Sequence, residues 1–185
     1  MPLRKDHFRN IEFEDHYNVI AGINLIELVP EKIQDHFTTA KNILVYSWHV
    51  YRFVQVAELH AYSGVEFALR TRLIQEGLIE EKKHIKLAPE LKKAIKRGWI
   101  KNEEYSQYVE EKEYHERKYQ EEMRRRYPDF DFPEYEYELK NYAEIFAKSI
   151  PFFRNTLAHG SSMVKNGGYN TLKICAETIN QICSN

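Results

Sequence analysis

The stretch that decides the fold is residues 47–76, SWHVYRFVQVAELHAYSGVEFALRTRLIQE, which carries the most regular helical pattern in the chain. Its small residues at positions 57, 61, 64 and 68 would let a neighbouring helix approach closely. Gly77 follows as a predicted C-cap. One face of the pattern is apolar, formed by Val50, Val54, Ala57, Ala61, Val65, Ala68 and Leu69. We therefore predict one long, central helix over 47–76.

Shorter helical patterns lie on both sides of this stretch. Pro30 suits the first position of a helix, and further helices are predicted over 31–45, 89–97, 103–126, 139–149 and 169–183. Pro151 requires a first turn or a kink. Residues 10–15 alternate like a short strand, and 19–29 are compatible with a helix. The sequence predicts an all-α fold, an up-and-down helical bundle of four to five main helices, in a single domain over 1–185.

The region 77–137 differs in composition and is predicted to be a charged helical insertion, an excursion from the bundle. Residues 101–140 hold 13 acidic and 8 basic side chains and almost no aliphatic ones. Such a segment forms a solvated, peripheral helix held by neighbouring opposite charges. Its basic run, Arg124, Arg125 and Arg126, has two interpretations: it could contact RNA phosphates, or it could be a helix-terminus feature.

The net charge and the residue composition of the chain limit the classes of function that it can have. The formal net charge is −1, so any nucleic-acid binding must rely on a local basic patch. No apolar run reaches the roughly 18 residues of a membrane span, and Cys175 and Cys183 are predicted to be reduced thiols of a cytoplasmic protein. The histidines lack metal-ligand spacing, so we predict no metal site and no cofactor.

The motif that carries chemistry is FRNTLAHGS, residues 153–161, which places Arg154, Asn155 and His159 within six positions. Arginine offers a permanently charged fork for phosphate, and histidine exchanges a proton near neutral pH. Metal-independent RNA cleavage needs both capacities. On a regular helix the two side chains would point about 140° apart. They would converge on one phosphate only if the helix ended between them, or if a second chain completed the site.

Arg154-Asn155-Thr156-Leu157-Ala158-His159 resembles the R-x4-6-H motif of the HEPN superfamily (higher eukaryotes and prokaryotes nucleotide-binding), whose ribonuclease members often carry asparagine after the arginine. The resemblance implies a metal-independent endoribonuclease that cleaves RNA through 2′-OH attack at a site shared by a homodimer. It also implies a toxin or anti-phage defence effector with an antitoxin or other regulatory partner. The alternative is a non-catalytic RNA- or nucleotide-binding module that pairs with a partner protein.

The remaining candidate residues surround this motif. Glu58 and Glu66 lie about two turns apart on the long predicted helix, and a buried carboxylate there would need a partner such as Arg154. A structural ion pair and a supporting role behind the catalytic residues both explain them. Arg70 and Arg72 suit either the helix dipole or RNA contact. With the arginines at 124–126, Lys165 completes the predicted RNA-binding set.

Overall fold

The computed structural model describes residues 12–82, 84–128, 137–160 and 167–184, and the regular structure of this part is helical throughout. The elements in chain order are α1 (Phe13–Ala21), α2 (Glu31–Tyr46), α3 (Phe53–Gln75), α4 (Leu87–Lys96), a short 3-10 helix (Asn102–Glu104), α5 (Ser106–Arg126), α6 (Tyr142–Ala158) and α7 (Gly168–Ser184). The predicted all-α fold is confirmed. None of the described helices combines the length and the apolar character needed to cross a membrane.

Helix α3 is the centre of the bundle, as predicted, and packs against α2, α6 and α7. At Gly64 a Cβ atom would lie 3.4 Å from Ile179 of α7, so the small residues do let a second helix come close. The predicted start at residue 47 is wrong, because α3 begins at Phe53. Ser47 instead caps α2, since its hydroxyl donates to the Leu44 carbonyl at 2.6 Å. Gly77 follows the helix with φ +67°, as a C-terminal glycine does.

Near the N-terminus, the described residues contradict both predictions. Residues 13–21 form the helix α1, although a strand was predicted over 10–15. Gly22 ends this helix, although the sequence of 19–29 is compatible with one continuous helix. The reason is a buried stripe that packs on α2: His16 and Ile20, four positions apart, are 1% exposed. The His16 Nε2 atom donates to the Leu44 carbonyl at 3.0 Å, and its Nδ1 contacts the Tyr169 hydroxyl.

Helix α6 is longer than the predicted 139–149 and contains Pro151 in its interior, so a first-turn position is wrong. The helix begins where the Asn141 side chain accepts from the Glu144 amide at 3.0 Å. It continues past the proline although one helical hydrogen bond is missing there. Ile150 and Pro151 are both buried, and this burial offsets the lost bond.

The predicted excursion over 77–137 divides into two unlike parts. Its first part enters the core: Leu91, Trp99, Ile100 and Tyr105 are buried, and α4 packs against α6. The Tyr105 hydroxyl lies 3.0 Å from the Thr178 hydroxyl of α7. Its second part, α5, has no buried residue. The solvated helix was therefore predicted correctly, but the segment before it belongs to the bundle.

The start of α7 brings three helices close together. A Cβ atom on Gly168 would lie 2.6 Å from Leu44 of α2 and 3.2 Å from Val54 of α3, so a larger residue there would clash. Cys175 is buried, Cys183 is half-buried, and both are free thiols, as predicted.

Candidate functional site

The predicted motif forms the last turn of α6 and the residues that close it. The helix runs to Ala158, and the His159 amide donates to the Asn155 carbonyl at 3.0 Å. Gly160 follows with φ +82°, a conformation that glycine adopts without strain and that ends the helix. Arg154 and Asn155 therefore sit on a regular helix, while His159 is the residue at its end.

Arg154 is held against α3 by a salt bridge. Its Nη2 atom lies 2.9 Å from Oε2 of Glu66, with 36% of the arginine side chain and 28% of the glutamate side chain exposed. Its Nη1 atom donates to the Asn155 amide oxygen at 3.3 Å. The expectation that a carboxylate of the long helix pairs with Arg154 is confirmed for Glu66. The guanidinium is thus oriented at the surface, with further N–H donors available for an anion.

His159 lies on a different side of α6. Residues 152, 155 and 159 share one stripe of the helix by their spacing, and all three are exposed. The Phe152 side chain is 63% exposed, which is unusual for a residue of that type. Among the described residues the His159 ring has no hydrogen-bond or ion-pair partner, so it is open to a ligand or a second chain.

One chain does not bring the two groups together. Helix α6 is regular up to Ala158 and His159 follows directly as its C-cap, so helical spacing still places the Arg154 and His159 side chains about 140° apart. Arg154 faces Glu66 on α3, whereas His159 faces outward with Phe152. The end of the helix therefore does not bring Arg154 and His159 onto one face of a single chain.

Glu58 has a different partner from the one predicted. It is 8% exposed and accepts a hydrogen bond at 2.9 Å from the hydroxyl of Thr171 at the start of α7. Burial raises the pKa of the Glu58 carboxyl, and the Thr171 hydrogen bond partly opposes that rise. The Thr171 side chain also interacts with Tyr62: burial raises the pKa of Tyr62, and Thr171 partly opposes that rise. Tyr62 in turn stacks on Phe153, with ring centroids 6.4 Å apart and planes at 15°.

Tyr62 and Thr171 thus connect the buried Glu58 to the residue just before Arg154. Sequence reasoning missed both residues. The available signal was weak, since each simply lies on the inward face of its helix, where an apolar residue would be expected. The Thr171 hydroxyl gives the buried Glu58 carboxylate a hydrogen-bond donor, as a buried polar group requires.

The predicted RNA-binding arginines have varied surroundings. Arg70 donates to the Glu81 carbonyl, and Arg72 pairs with Glu76 at 2.8 Å. Arg126 pairs with Glu122 at 2.6 Å, while Arg124 and Arg125 are exposed in the last turn of α5. Lys165 and Ser161 lie outside the described residues. The structure therefore gives Arg70, Arg72 and Arg126 contacts within the fold, and places none of the described five in contact with Arg154 or His159.

Comparisons with models of known protein families, with curated proteins and with solved structures found no match. Within the residues that the structure describes, no group of three or more His, Cys, Asp or Glu side chains is arranged to hold a metal ion. The geometry of α6 and the resemblance of its motif are therefore the features that point to a function.

Proposed function

We propose that the protein is a metal-independent endoribonuclease of the HEPN kind, with Arg154, Asn155 and His159 as its catalytic residues. The resemblance of the 154–159 motif supports this function, and the surface position of all three side chains is compatible with it. The observation that carries the proposal is that one helix end holds both a fixed arginine and an exposed histidine, whose ring has no partner among the described residues.

In the proposed reaction the ribose 2′-oxygen attacks the adjacent phosphorus and loses its proton. The bond from phosphorus to the 5′-oxygen breaks, which leaves a 2′,3′-cyclic phosphate and a 5′-hydroxyl. His159 protonates the departing 5′-oxygen, a contribution of roughly 10²–10⁴-fold. Arg154 stabilises the negative charge on the non-bridging oxygens, and Asn155 orients the guanidinium through the contact already present.

Glu66 supports this arrangement from behind. Its carboxylate fixes the direction of the Arg154 side chain, because a salt bridge to one nitrogen restricts rotation of the whole planar group. The pair is partly exposed, so we assign it a positioning role and not a large contribution to stability. Glu58 does not contact Arg154. It supports the motif indirectly, through contacts that run from Thr171 to Tyr62 and Phe153.

The divergence of Arg154 and His159 favours a homodimer in which each chain supplies one of the two groups. The outward stripe of α6 also exposes two apolar side chains, Ile145 at 43% and Phe152 at 63%. Positions 145, 152 and 159 recur every seven residues, so they line one side of the helix. A two-fold interface along this stripe would cover the exposed phenyl ring and bring His159 towards helix α6 of the partner.

The second candidate function is a non-catalytic module that binds RNA or a nucleotide and pairs with a partner protein. The salt bridge between Arg154 and Glu66 favours it to a degree, because an arginine that is already paired attracts phosphate less strongly. Product formation separates the two functions directly, since a binding module leaves RNA intact.

The test is incubation of the purified protein with RNA in the presence of EDTA, followed by analysis of the product ends. We expect cleavage with 5′-hydroxyl and 2′,3′-cyclic phosphate ends, and no cleavage of DNA of the same sequence, which lacks the 2′-hydroxyl. His159→Ala should abolish cleavage while RNA binding persists, and Arg154→Ala should weaken both. His115→Ala on the outer helix α5 is the matched control and should remain active. Products with 5′-phosphate ends, or dependence on magnesium, would overturn the mechanism.

A further inference from the structure

The basic charge of the chain is concentrated in one short segment. Residues 82–101 hold eight of the 27 Lys and Arg residues but only one of the 28 Asp and Glu residues. The chain as a whole has a net charge of −1, so this concentration is local. A local excess of this kind produces a positive surface potential that the global charge conceals.

Helix α4 turns these charges to one side. Leu87, Leu91 and Ala94 are buried against the core. By helical spacing the opposite side carries cations in consecutive turns, and all of them are exposed: Lys92, Lys93, Lys96 and Arg97. We call this surface the α4 basic face.

Most of these charges are not neutralised by the fold. Within the described residues the only ion pair of the α4 basic face joins Lys93 to Glu90 at 2.7 Å. Helix α5 differs in its acidic content: two of its six cations, Lys112 and Arg126, have a glutamate partner four positions away, and six glutamates are interspersed along the helix. Unpaired cations on neighbouring turns repel each other, and a bound polyanion relieves that repulsion.

Beside the α4 basic face is a cavity of about 360 Å³ between the helix and the segment that precedes it. Leu73 and Ile85 are among its apolar lining residues, and Lys86, Lys93 and Arg97 contribute positive charge. Glu90, the ion-pair partner of Lys93, also lines the cavity, so the net charge of the lining stays positive. Arg97 is stacked over Trp99, with its guanidinium carbon 5.3 Å from the ring centroid, and Arg72 lies 5.1 Å from the same ring. An apolar recess with a cationic edge fits a flat base joined to a phosphate.

From these features we infer that the α4 basic face and its cavity form a docking site for single-stranded RNA, separate from the cleavage motif. Phosphates lie along Lys92 and Lys96, and one unstacked base enters the cavity, which base-paired RNA cannot supply. Helix α4 packs directly against α6, which carries Arg154 and His159. The inference rests on the proposed function for the identity of the nucleic acid, although the docking step itself requires no cleavage.

The test is a titration of fluorescein-labelled single-stranded oligouridylate with protein at several salt concentrations. It uses His159→Ala protein so that the RNA remains intact. Adding Lys92→Gln and Lys96→Gln should weaken binding roughly tenfold and reduce the slope of log K against log salt by about 1.4, since each phosphate contact of a single strand contributes about 0.7. The matched control is Lys32→Gln with Lys112→Gln, which removes the same charge from exposed sites on α2 and α5 and should change neither value.

The outcomes separate this inference from the proposed function. If Lys92→Gln with Lys96→Gln lowers the affinity for RNA and the slope of log K against log salt, the docking site is supported even if no cleavage is ever observed. We call this protein the α4 variant. Equal affinities for the α4 variant and its control overturn the docking site, even where RNA is cleaved. Tighter binding of duplex RNA than of single strands also overturns it. The docking site is also overturned if the α4 substitutions weaken binding only to phosphatidylserine vesicles and not to RNA, because the α4 basic face would then bind a membrane surface.

Discussion

Helices α4 and α5 lie one after the other in the region predicted to be an excursion, and both are rich in charge, yet they relate to the fold in opposite ways. Helix α4 buries Leu87, Leu91 and Ala94 and exposes cations of which, within the described residues, only Lys93 has an ion-pair partner. Helix α5 buries nothing and spreads acidic and basic side chains around its surface, with several paired along the helix. Similar charge content thus accompanies two different roles.

The difference teaches that a few apolar positions, not the number of charges, decide whether a helix joins the bundle. In α4 three apolar residues fall on one side within two turns, so they form a face that packs on α6. In α5 the aliphatic Val109 is isolated and 44% exposed. Where apolar positions anchor the helix, its charges are all forced to the other side and remain available to a partner.

Hydrogen exchange gives the largest expected contrast. Backbone amides in the middle of α5 should exchange roughly a thousandfold or more faster than those of α3 and α4, because α5 opens without exposing buried apolar surface. Mass spectrometry of peptides from each helix would measure this. Protection of α5 equal to that of α3 would break the comparison.

Core truncation gives the next largest effect. Leu91→Ala in α4 should lower the free energy of unfolding by about 3 kcal/mol, since it removes a side chain that is 1% exposed and leaves a cavity. The matched change in α5, Val109→Ala, should lie within about 0.5 kcal/mol of the unaltered protein. Urea denaturation measures both, and similar losses would mean that α5 is also part of the core.

The smallest expected effect is a change in the pH dependence of stability when Glu58 or Glu111 is replaced by glutamine. The two replacements should act in opposite directions. Burial raises the pKa of Glu58, so its stabilising contribution is present below the ordinary glutamate pKa of about 4.3 and is lost as pH rises through the folded value. Glu58→Gln, which still accepts from Thr171, should therefore gain stability relative to the unaltered protein between pH 4 and 7. In α5 the Lys140 hydrogen bond lowers the pKa of Glu111, so its stabilising contribution is present above the ordinary glutamate pKa of about 4.3 and is lost as pH falls through the folded value. Glu111→Gln should therefore be less stable than the unaltered protein above about pH 4, and the difference should vanish at lower pH. Thermal melts from pH 7 to below the ordinary glutamate pKa measure the stability of both variants against the unaltered protein. A Glu58→Gln advantage that shrinks as pH rises, or a Glu111→Gln deficit that grows as pH falls, would contradict these signs.

The sequence was sufficient to predict the all-α fold and the central long helix, because helical periodicity and small residues on α3 are local signals. It also predicted a carboxylate partner for Arg154, which the structure identifies as Glu66. The function of this site and its homodimer stay predictions.

What the sequence could not supply depends on contacts between distant segments. Residues 47–52 look helical alone, but Ser47 closes α2 and the following residues form the connection. Pro151 reads as a helix breaker, although burial keeps α6 continuous around it. Thr171 lies 113 positions from Glu58, so no local pattern could reveal their hydrogen bond. The basic residues of α4 are close together in the sequence, but the sequence could not show that Lys93 forms their only ion pair within the described residues.

The most direct test of the account mixes two inactive proteins. Arg154→Ala and His159→Ala should each fail to cleave RNA alone, because every site in either homodimer lacks one group. After the two are mixed and their subunits exchange, a heterodimer keeps one site with both groups, so about a quarter of the unaltered activity should return. Mixing His159→Ala with an Arg154→Ala/His159→Ala double variant controls for the exchange and should remain inactive. If the first mixture stays inactive although heterodimers form, Arg154 and His159 do not act together across a dimer, and the proposed site is contradicted.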